Sequence, residues 1–584
     1  MMTSRRQTQR RFAHWRLGFL AAAAVVVVTS IPQAAIIARQ GSAWKGSYAL
    51  LDVDELSFSA YLNSLIAGRP RRNNPYLGDE VGAAATHESA FSIQFIPLFA
   101  IAVLARAFGI STSTAFTLLL PLMAFISSLA VFRLLYQVTK NEATSAVGTL
   151  IVLLCGRLIS ESPFSIEQTY ASFAFLRRYL PAIPFPLFFL FCAFVWRAFV
   201  EKSRHWSFAA GGIFAVLIYS YFYLWTAATA WLFCFAVVWL LARPEDRRAT
   251  VKCSVIIAGI SVVALIPYAF LLTNRSKTID TGQVLTHIRT PDLLRTTEIA
   301  GLIILMTLVI ALRQRGVSWR SPAVLFILAC ATSPIVAFNQ QIVTGLSLQS
   351  FHYEQFVLNY LVLASMVITY HLLWPHLKIR PIVWTLFALG VGLTTAFKEV
   401  RDKSAINLRR DEAKPVFERL RNSHVGLSLF NNSLLAASAP TDCPMPQLWA
   451  PNMYFYGSVD DAERLERFFQ YLYLLGVESP NFEQDLQSDQ YVRAAVFGLH
   501  RVNPTLSQNF SPVSADEIRS KVELYSAFTK NFSQAQANKW PLSYVVMLDD
   551  GDYDFTNMDR WYNRSSGEKI GNSVLYTVQL KTQP

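Results

Sequence analysis

Charge is scarce in this 584-residue chain: Asp, Glu, Lys and Arg make up 16% of it, against about 25% in an ordinary soluble domain. The scarcity is uneven. Residues 17–398 hold long apolar runs such as 20–28, 115–131, 186–196 and 256–272, whereas 399–584 are normally polar. Cysteine is equally sparing. Of the six, Cys155, Cys192, Cys234, Cys253 and Cys330 lie in or beside apolar runs. Only Cys443 falls in the polar region, which therefore cannot close an internal disulfide, and no metal-type cysteine spacing occurs. The sequence also lacks a Walker loop, a dinucleotide fingerprint, an HExxH motif and a nucleophile elbow, as well as internal repeats and low-complexity linkers. Aromatics are plentiful, with 42 Phe, 23 Tyr and 13 Trp, as suits a chain that packs in lipid and anchors at its interfaces. The net charge of +13 sits in short turns between apolar runs. That is the pattern of membrane topology rather than of a nucleic-acid surface, so no nucleic-acid partner is expected.

Threading the charges through a bilayer orders the chain. A span needs about 20 apolar residues, and the candidates are 17–38, 91–110, 114–136, 144–160, 182–200, 206–219, 221–242, 253–273, 298–312, 321–338, 356–374 and 381–398. The first follows Arg5, Arg6, Arg10, Arg11 and Arg16 but has no clean cleavage pattern after it, so it reads as an uncleaved helix with its basic tail in the cytoplasm. If 91–110 also crossed, the clusters Arg197/Lys202/Arg204, Arg243/Arg247/Arg248/Lys252 and Arg313/Arg315/Arg320 would all lie outside. Removing that crossing puts those three, together with Arg133/Lys140 and Lys378/Arg380, on the cytoplasmic side. Segment 91–110 carries Pro97 and Arg106 and reads instead as a membrane-surface helix. The expected architecture is a polytopic α-helical membrane domain of about eleven transmembrane helices over 1–398, with a first exterior loop at 39–113. A C-terminal exterior α/β or α+β domain follows over 399–584. An integral, multi-pass protein with its N-terminus cytoplasmic and its C-terminal domain periplasmic fits a bacterial inner membrane.

On that topology the polar residues gather on one face. The first exterior loop opens with Asp52, Asp54 and Glu55, followed by a short helix from the spacing of Leu56, Tyr61 and Leu65, turns at Gly68-Arg69-Pro70 and Asn73-Asn74-Pro75, and then His87 and Glu88. Such acids either favour a helix N-terminus or serve as general base or cation ligand. The segment 161–181 adds Glu161, Glu167, Arg177 and Arg178. The arginines are either snorkelling or recognising phosphate, which the guanidinium fork suits. The segment 339–355 crowds Asn339, Gln340, Gln341, Gln349, His352, Tyr353 and Glu354 between two apolar spans, more hydrogen-bonding groups than a turn requires, and a binding role is expected. The run 219–225 reads as a tight aromatic hairpin, and 274–297 as a solvated loop or a flap over the site.

The acidic opening of the first loop, the stretch Tyr61…Gly68-Arg69-Pro70…Asn74-Pro75-Tyr76-Leu77 and the surface helix before the next spans together resemble the GT-C superfamily of polytopic membrane glycosyltransferases, over roughly residues 17–400. The resemblance implies transfer of a sugar from a polyprenyl-phosphate carrier to an acceptor glycan, lipid or protein on the non-cytoplasmic face, with inversion. It implies a catalytic carboxylate at Asp52 or Asp54. Substrate contacts are expected from Glu55, His87, Glu88, Arg177, Arg178, Gln341, His352 and Tyr353, with the arginines and His352 on the lipid phosphate. A second acidic site, which holds metal in some members, corresponds to Glu161 or Glu167 and implies Mg or Mn, although no clean acidic pair stands there.

In the C-terminal region, strands are expected at 425–430, 447–455, 494–497, 544–548 and 574–580 and a helix at 461–475. Asp549, Asp550, Asp552 and Asp554 lack EF-hand spacing and read as an acidic turn. The domain is expected to bind the acceptor or to act as a lid. Two other functions fit the composition: a lipid or polysaccharide transporter or flippase, disfavoured because the spans are nearly free of charge, and a non-catalytic assembly factor that keeps the same acids for structural reasons.

Overall fold

A computed structural model describes residues 15–78, 87–159, 173–282, 285–373, 381–502 and 510–582. Its contacts divide the chain into two compact units: residues 1–39, 116–270 and 287–404 form one, and 40–115, 271–286 and 405–584 the other.

The first unit is helical. Among the described residues eight helices in the chain are long and apolar enough to cross a bilayer, which makes this an integral multi-pass membrane protein. Each of the eleven expected spans coincides with a helix. Those at Glu142–Leu154, Pro184–Val200 and Arg204–Ile218 have 13, 17 and 15 residues, so about eleven was an expectation of which eight meet the length criterion on their own. The helices pack through aromatic rings. Trp231 is fully buried, stacks on Phe235 at 5.2 Å, and gives its indole N–H to the Cys330 sulfur at 3.3 Å. Trp196 meets Phe326 edge-on at 5.6 Å. Close backbone approach also contributes: a Cβ on Gly301 would lie 2.4 Å from the Ala331 carbonyl oxygen, so the helices Thr296–Arg315 and Pro322–Phe338 cross where only glycine fits. Helix Arg247–Thr273 turns Val255, Val262, Val263, Ile266 and Phe270 outward, an apolar surface that is stable against lipid tails and not against water.

The second unit gathers the first loop and the C-terminal region. A five-stranded sheet pairs Leu427–Phe430 parallel to Leu542–Leu548, with Ser573–Leu580 antiparallel beside the latter. Tyr562–Arg564 and Glu568–Ile570 both pair with Ser573–Leu580. The amphipathic helix Asp461–Leu474, capped by Asp460 accepting from the Glu463 N–H at 2.8 Å, contributes Phe468, Phe469 and Leu472 to a core that includes Phe482, Tyr525, Val545 and Val578. Strands are therefore present where 425–430, 544–548 and 574–580 predicted them. The other two expectations are corrected. Residues 494–497 end a helix, Gln490–Phe497, because Asp489 accepts from the Tyr491 and Val492 N–H groups and starts a helical turn. Over 447–455 a single bridge, Ser428 to Gln447, forms before a short helix at Met453–Tyr456; Pro446 precedes the run and Pro451 interrupts it, and neither can donate to a ladder. The four aspartates form a turn, with Asp550 accepting from Tyr553 and Asp554 from the Thr556 N–H.

Segment 91–110 belongs to this second unit with the first loop. It breaks into Ala90–Ile93 and Ile96–Phe108, and the longer piece, at about 1.5 Å per residue, reaches about 20 Å, short of the roughly 30 Å hydrocarbon core. Its Arg106 donates to the Ile66 and Leu65 carbonyls at 2.8 and 2.5 Å, closing the end of helix Glu55–Ile66. Helix Pro381–Glu412 runs unbroken past residue 398.

Candidate functional site

In the second unit the acidic loop is built from its backbone outward. Asp52 is 9% exposed, and one of its carboxylate oxygens accepts from the Asp54 N–H at 2.9 Å, an Asx turn that starts the helix. Asp54 is exposed just before Glu55, the first helical residue. Glu55 is buried and accepts from the Leu51 N–H at 3.2 Å. Its carboxylate thus closes the loop onto itself, a structural task beside the substrate contact expected of it.

Glu88 is equally committed. Arg71 grips both its oxygens, at 2.6 and 2.7 Å, and the Ser92 hydroxyl donates to it at 2.5 Å. Its backbone bridges to Asn274 and Ser276, each at 2.9 Å. Arg71 also donates to the Ser92 carbonyl and lies 5.5 Å from the Phe95 ring centre. Burial pushes the Tyr61 hydroxyl up from the usual phenol range, with the Arg71 charge working against that shift, and the hydroxyl donates to the Arg71 carbonyl. His87 is exposed. Arg71 carries no local motif and escaped the sequence reading; its signal was only its place in an arginine-rich turn before an acid.

The C-terminal segment forms a mould around this loop. Tyr456 stacks on Phe91 at 4.6 Å, with Tyr61 and Tyr76 at 5.8 and 5.9 Å, and its hydroxyl donates to the Ser57 carbonyl at 2.7 Å. Asn74 donates to the Met453 carbonyl and to Ser458, at 2.9 and 2.8 Å. Asn63 donates to the Pro440 carbonyl at 2.9 Å, and the Ser59 and Thr441 hydroxyls meet at 2.7 Å.

In the first unit the two arginines diverge. Arg178 is fully buried and donates to Gln33 at 3.3 Å; Gln33 in turn donates to the Thr117 carbonyl at 3.0 Å. Arg177 is 7% exposed and lies 5.2 Å from the Phe356 ring centre. His352 stacks on the same Phe356 at 5.1 Å and meets Tyr223 edge-on at 4.5 Å, and its Nδ1 is buried without a hydrogen-bond partner among the described residues. Tyr353 is spent on packing, sharing a hydrogen bond with Thr226 at 2.9 Å, and Gln341 on the Thr290 carbonyl at 3.0 Å. Both hold protein groups in this way.

The same unit joins residues of 274–297 and 339–355 in a network whose pairing no sequence spacing gave. Arg295 pairs with Asp292 at 2.7 Å and with buried Glu354 at 3.5 Å, and the Thr297 hydroxyl donates to Glu354 at 2.9 Å. Glu354 opens a π-helical turn, Glu354–Leu358, a distortion found often at functional sites. Charge at the edge of an apolar span was the available signal.

Glu161 and Glu167 lie outside the described residues. Among the described residues no group of three His, Cys, Asp or Glu side chains converges as a metal site.

No protein-family model matches the chain, and no curated protein does. Several solved structures are similar to it, among them these two. One is ArnT from Cupriavidus metallidurans bound to undecaprenyl phosphate, at 12% identity over 95% of this chain and 97% of that one, with a TM-score of 0.41. The other is the Archaeoglobus fulgidus oligosaccharyltransferase tethered through a disulfide to an acceptor peptide containing the NVT sequon, at 10% identity over 96% of this chain and 74% of that one, also with a TM-score of 0.41.

Proposed function

We propose that this protein is a glycosyltransferase of the GT-C type that moves a sugar from a polyprenyl-phosphate carrier to an acceptor hydroxyl or amide on the non-cytoplasmic face, with inversion. The observation that carries the reading is the acidic loop: Asp52 sits in a backbone pinned on both sides, with exposed Asp54 two residues away. A fixed carboxylate is what a general base needs. Asp52 takes the proton from the acceptor, the acceptor atom bonds to the anomeric carbon, and the carrier phosphate leaves with the electron pair of the broken bond. Within the membrane-spanning unit, Arg177 and His352 are the groups suited to a lipid phosphate, and Arg178 supports them by its bond to Gln33. Glu55 and Glu88 act as supports of the loop rather than as substrate contacts. The carrier belongs to the same chemical class as the undecaprenyl phosphate of the first similar structure; the support for it here comes from this chain's own residues. No step is routed through a metal. If Glu161 and Glu167 hold Mg or Mn, chelation abolishes transfer and either ion restores it.

The N-terminus is cytoplasmic and the C-terminal domain periplasmic in this reading, as reporter fusions at residues 16 and 582 would test. The acceptor, whether glycan, lipid or protein, meets the chain on that side. The deciding experiment replaces Asp52 and Asp54 separately by Asn and measures sugar transfer from a polyprenyl phosphate in liposomes. Loss in the Asp52 variant is expected, and full activity in both variants would sink the proposal. A flippase would keep moving lipid in both variants, and a silent assembly factor would show no transfer in the parent protein.

A further inference from the structure

Helix Pro381–Glu412 ends in a face that reads the backbone leading to Asp52. Asn407, Arg410 and Asp411 stand at spacings of three and four, on one side of the helix, and are 2, 3 and 3% exposed. Asp411 accepts from the Lys45 N–H at 2.6 Å and from the Ser47 N–H at 3.1 Å. Arg410 donates to the Tyr48 carbonyl at 3.1 Å, with its guanidinium 4.4 Å from the centre of the Tyr48 ring. Asn407 takes the part of a neighbouring strand, accepting from the Leu50 N–H at 2.6 Å and donating to the Leu50 carbonyl at 2.9 Å. Glu55 then takes the Leu51 N–H. The run 45–51 bends at Gly46, lies in no strand, and has its backbone groups met by the side chains of Asn407, Arg410 and Asp411 on the helix and of Trp44 and Glu55 beside it. The Tyr48 hydroxyl continues the tie by donating to the Glu55 carbonyl and to Ser59, at 3.2 and 3.0 Å.

Burying polar backbone without partners costs free energy, and that requirement alone would be met by any donors and acceptors. What is specific here is the register. The bonds at residues 45, 47, 48, 50 and 51 hold the chain at successive points along its length, and the next residue is Asp52. We propose that Asn407, Arg410 and Asp411 are positioning residues that set the place of the Asp52 carboxylate for proton transfer. The inference rests on the reading of Asp52 as the general base. It says that the helix end serves the chemistry by holding one loop, without touching substrate.

The test compares Asn407→Ala, Asp411→Asn and Arg410→Lys with Leu408→Ala, a residue that is 45% exposed and off the 407–410–411 face. Two quantities are read on the full-length protein in liposomes: amide hydrogen exchange in 45–55, and kcat and KM for transfer from a polyprenyl-phosphate sugar. Protection of strand Leu542–Leu548 certifies that each variant is folded. Asn407→Ala and Asp411→Asn are expected to raise exchange in 45–51 and to lower kcat by about a hundredfold, as a misplacement near 1 Å does, with KM unchanged. Arg410→Lys, which keeps a donor, is expected to recover much of the rate. Unchanged exchange in 45–51 in folded variants would overturn the positioning role whatever the activity. Raised exchange with full kcat would overturn its service to the chemistry. The Asp52→Asn variant, measured alongside, reports separately on whether Asp52 is the base.

Discussion

Replacing Arg71 by Met should open the first loop locally while leaving the sheet intact. The Glu88 side chain is 4% exposed and the Arg71 side chain 25%, so removal of the guanidinium strands a nearly dry carboxylate. Stranding one member of a fully buried pair costs about 3–5 kcal/mol. Here the partial exposure of Arg71 and the surviving donation from Ser92 at 2.5 Å move the figure to the low end, about 3 kcal/mol. At 1.36 kcal/mol per decade, the amides of 89–94, which share the Ser89–Ser92 capping box and the bridge to 274–276, should exchange about a hundredfold faster. The double variant Arg71→Met with Glu88→Gln should recover most of this, because no charge is then left without its partner. Exchange of 89–94 that stays within about threefold of the parent in Arg71→Met would refute the reasoning. So would a Glu88→Gln variant that loses affinity for the sugar carrier with no change in exchange, since Glu88 would then be a ligand contact.

Gly301→Ala places a Cβ against the Ala331 carbonyl and should cost about 1–3 kcal/mol, seen as earlier aggregation on heating in detergent. Gly259→Ala, with open space around it, should be neutral or stabilising. Tyr456→Phe removes the donation to the Ser57 carbonyl and should cost about 1 kcal/mol, read as faster exchange in helix Glu55–Ile66. The Glu517 carboxyl, held down to about 2 first by the Ser514 N–H and hydroxyl and then by Arg501, has a folded pKa below its unfolded value of about 4.3. Its contribution is therefore present above pH 4.3 and lost as pH falls toward 2. Pepsin cleavage within helix Ala515–Lys530 should rise over that window and stay flat in Glu517→Gln.

The membrane half of the fold was legible because a bilayer forces it: spans must be apolar for about 20 residues, and runs of that kind mark themselves in a charge-poor sequence; segment 91–110, which the charges set apart, is broken at Gln94 and Phe95 and packs with the first loop. The C-terminal domain was legible only in part. Apolar runs with β-branched residues, such as Ser573–Leu580, were recognised, whereas 494–497 was mistaken for strand. Four apolar residues fit either period, and the Asp489 cap that decides the matter lies outside the run.

The acids of the site were visible because carboxylates are conspicuous in a charge-poor chain, but their duties were not. Duty is set by who stands opposite, and that is tertiary. Glu88 and Asp52 look alike in sequence. One is bound by Arg71 seventeen residues before it and the other is approached through a backbone held by a helix more than three hundred and fifty residues later. Arg177 and Arg178 are neighbours in sequence, yet one meets the face of Phe356 and the other Gln33. The His352 ring stacks on that same Phe356, and a buried ring nitrogen such as its Nδ1, with no partner among the described residues, stays costly until something pairs with it, a demand that no spacing in the sequence announces.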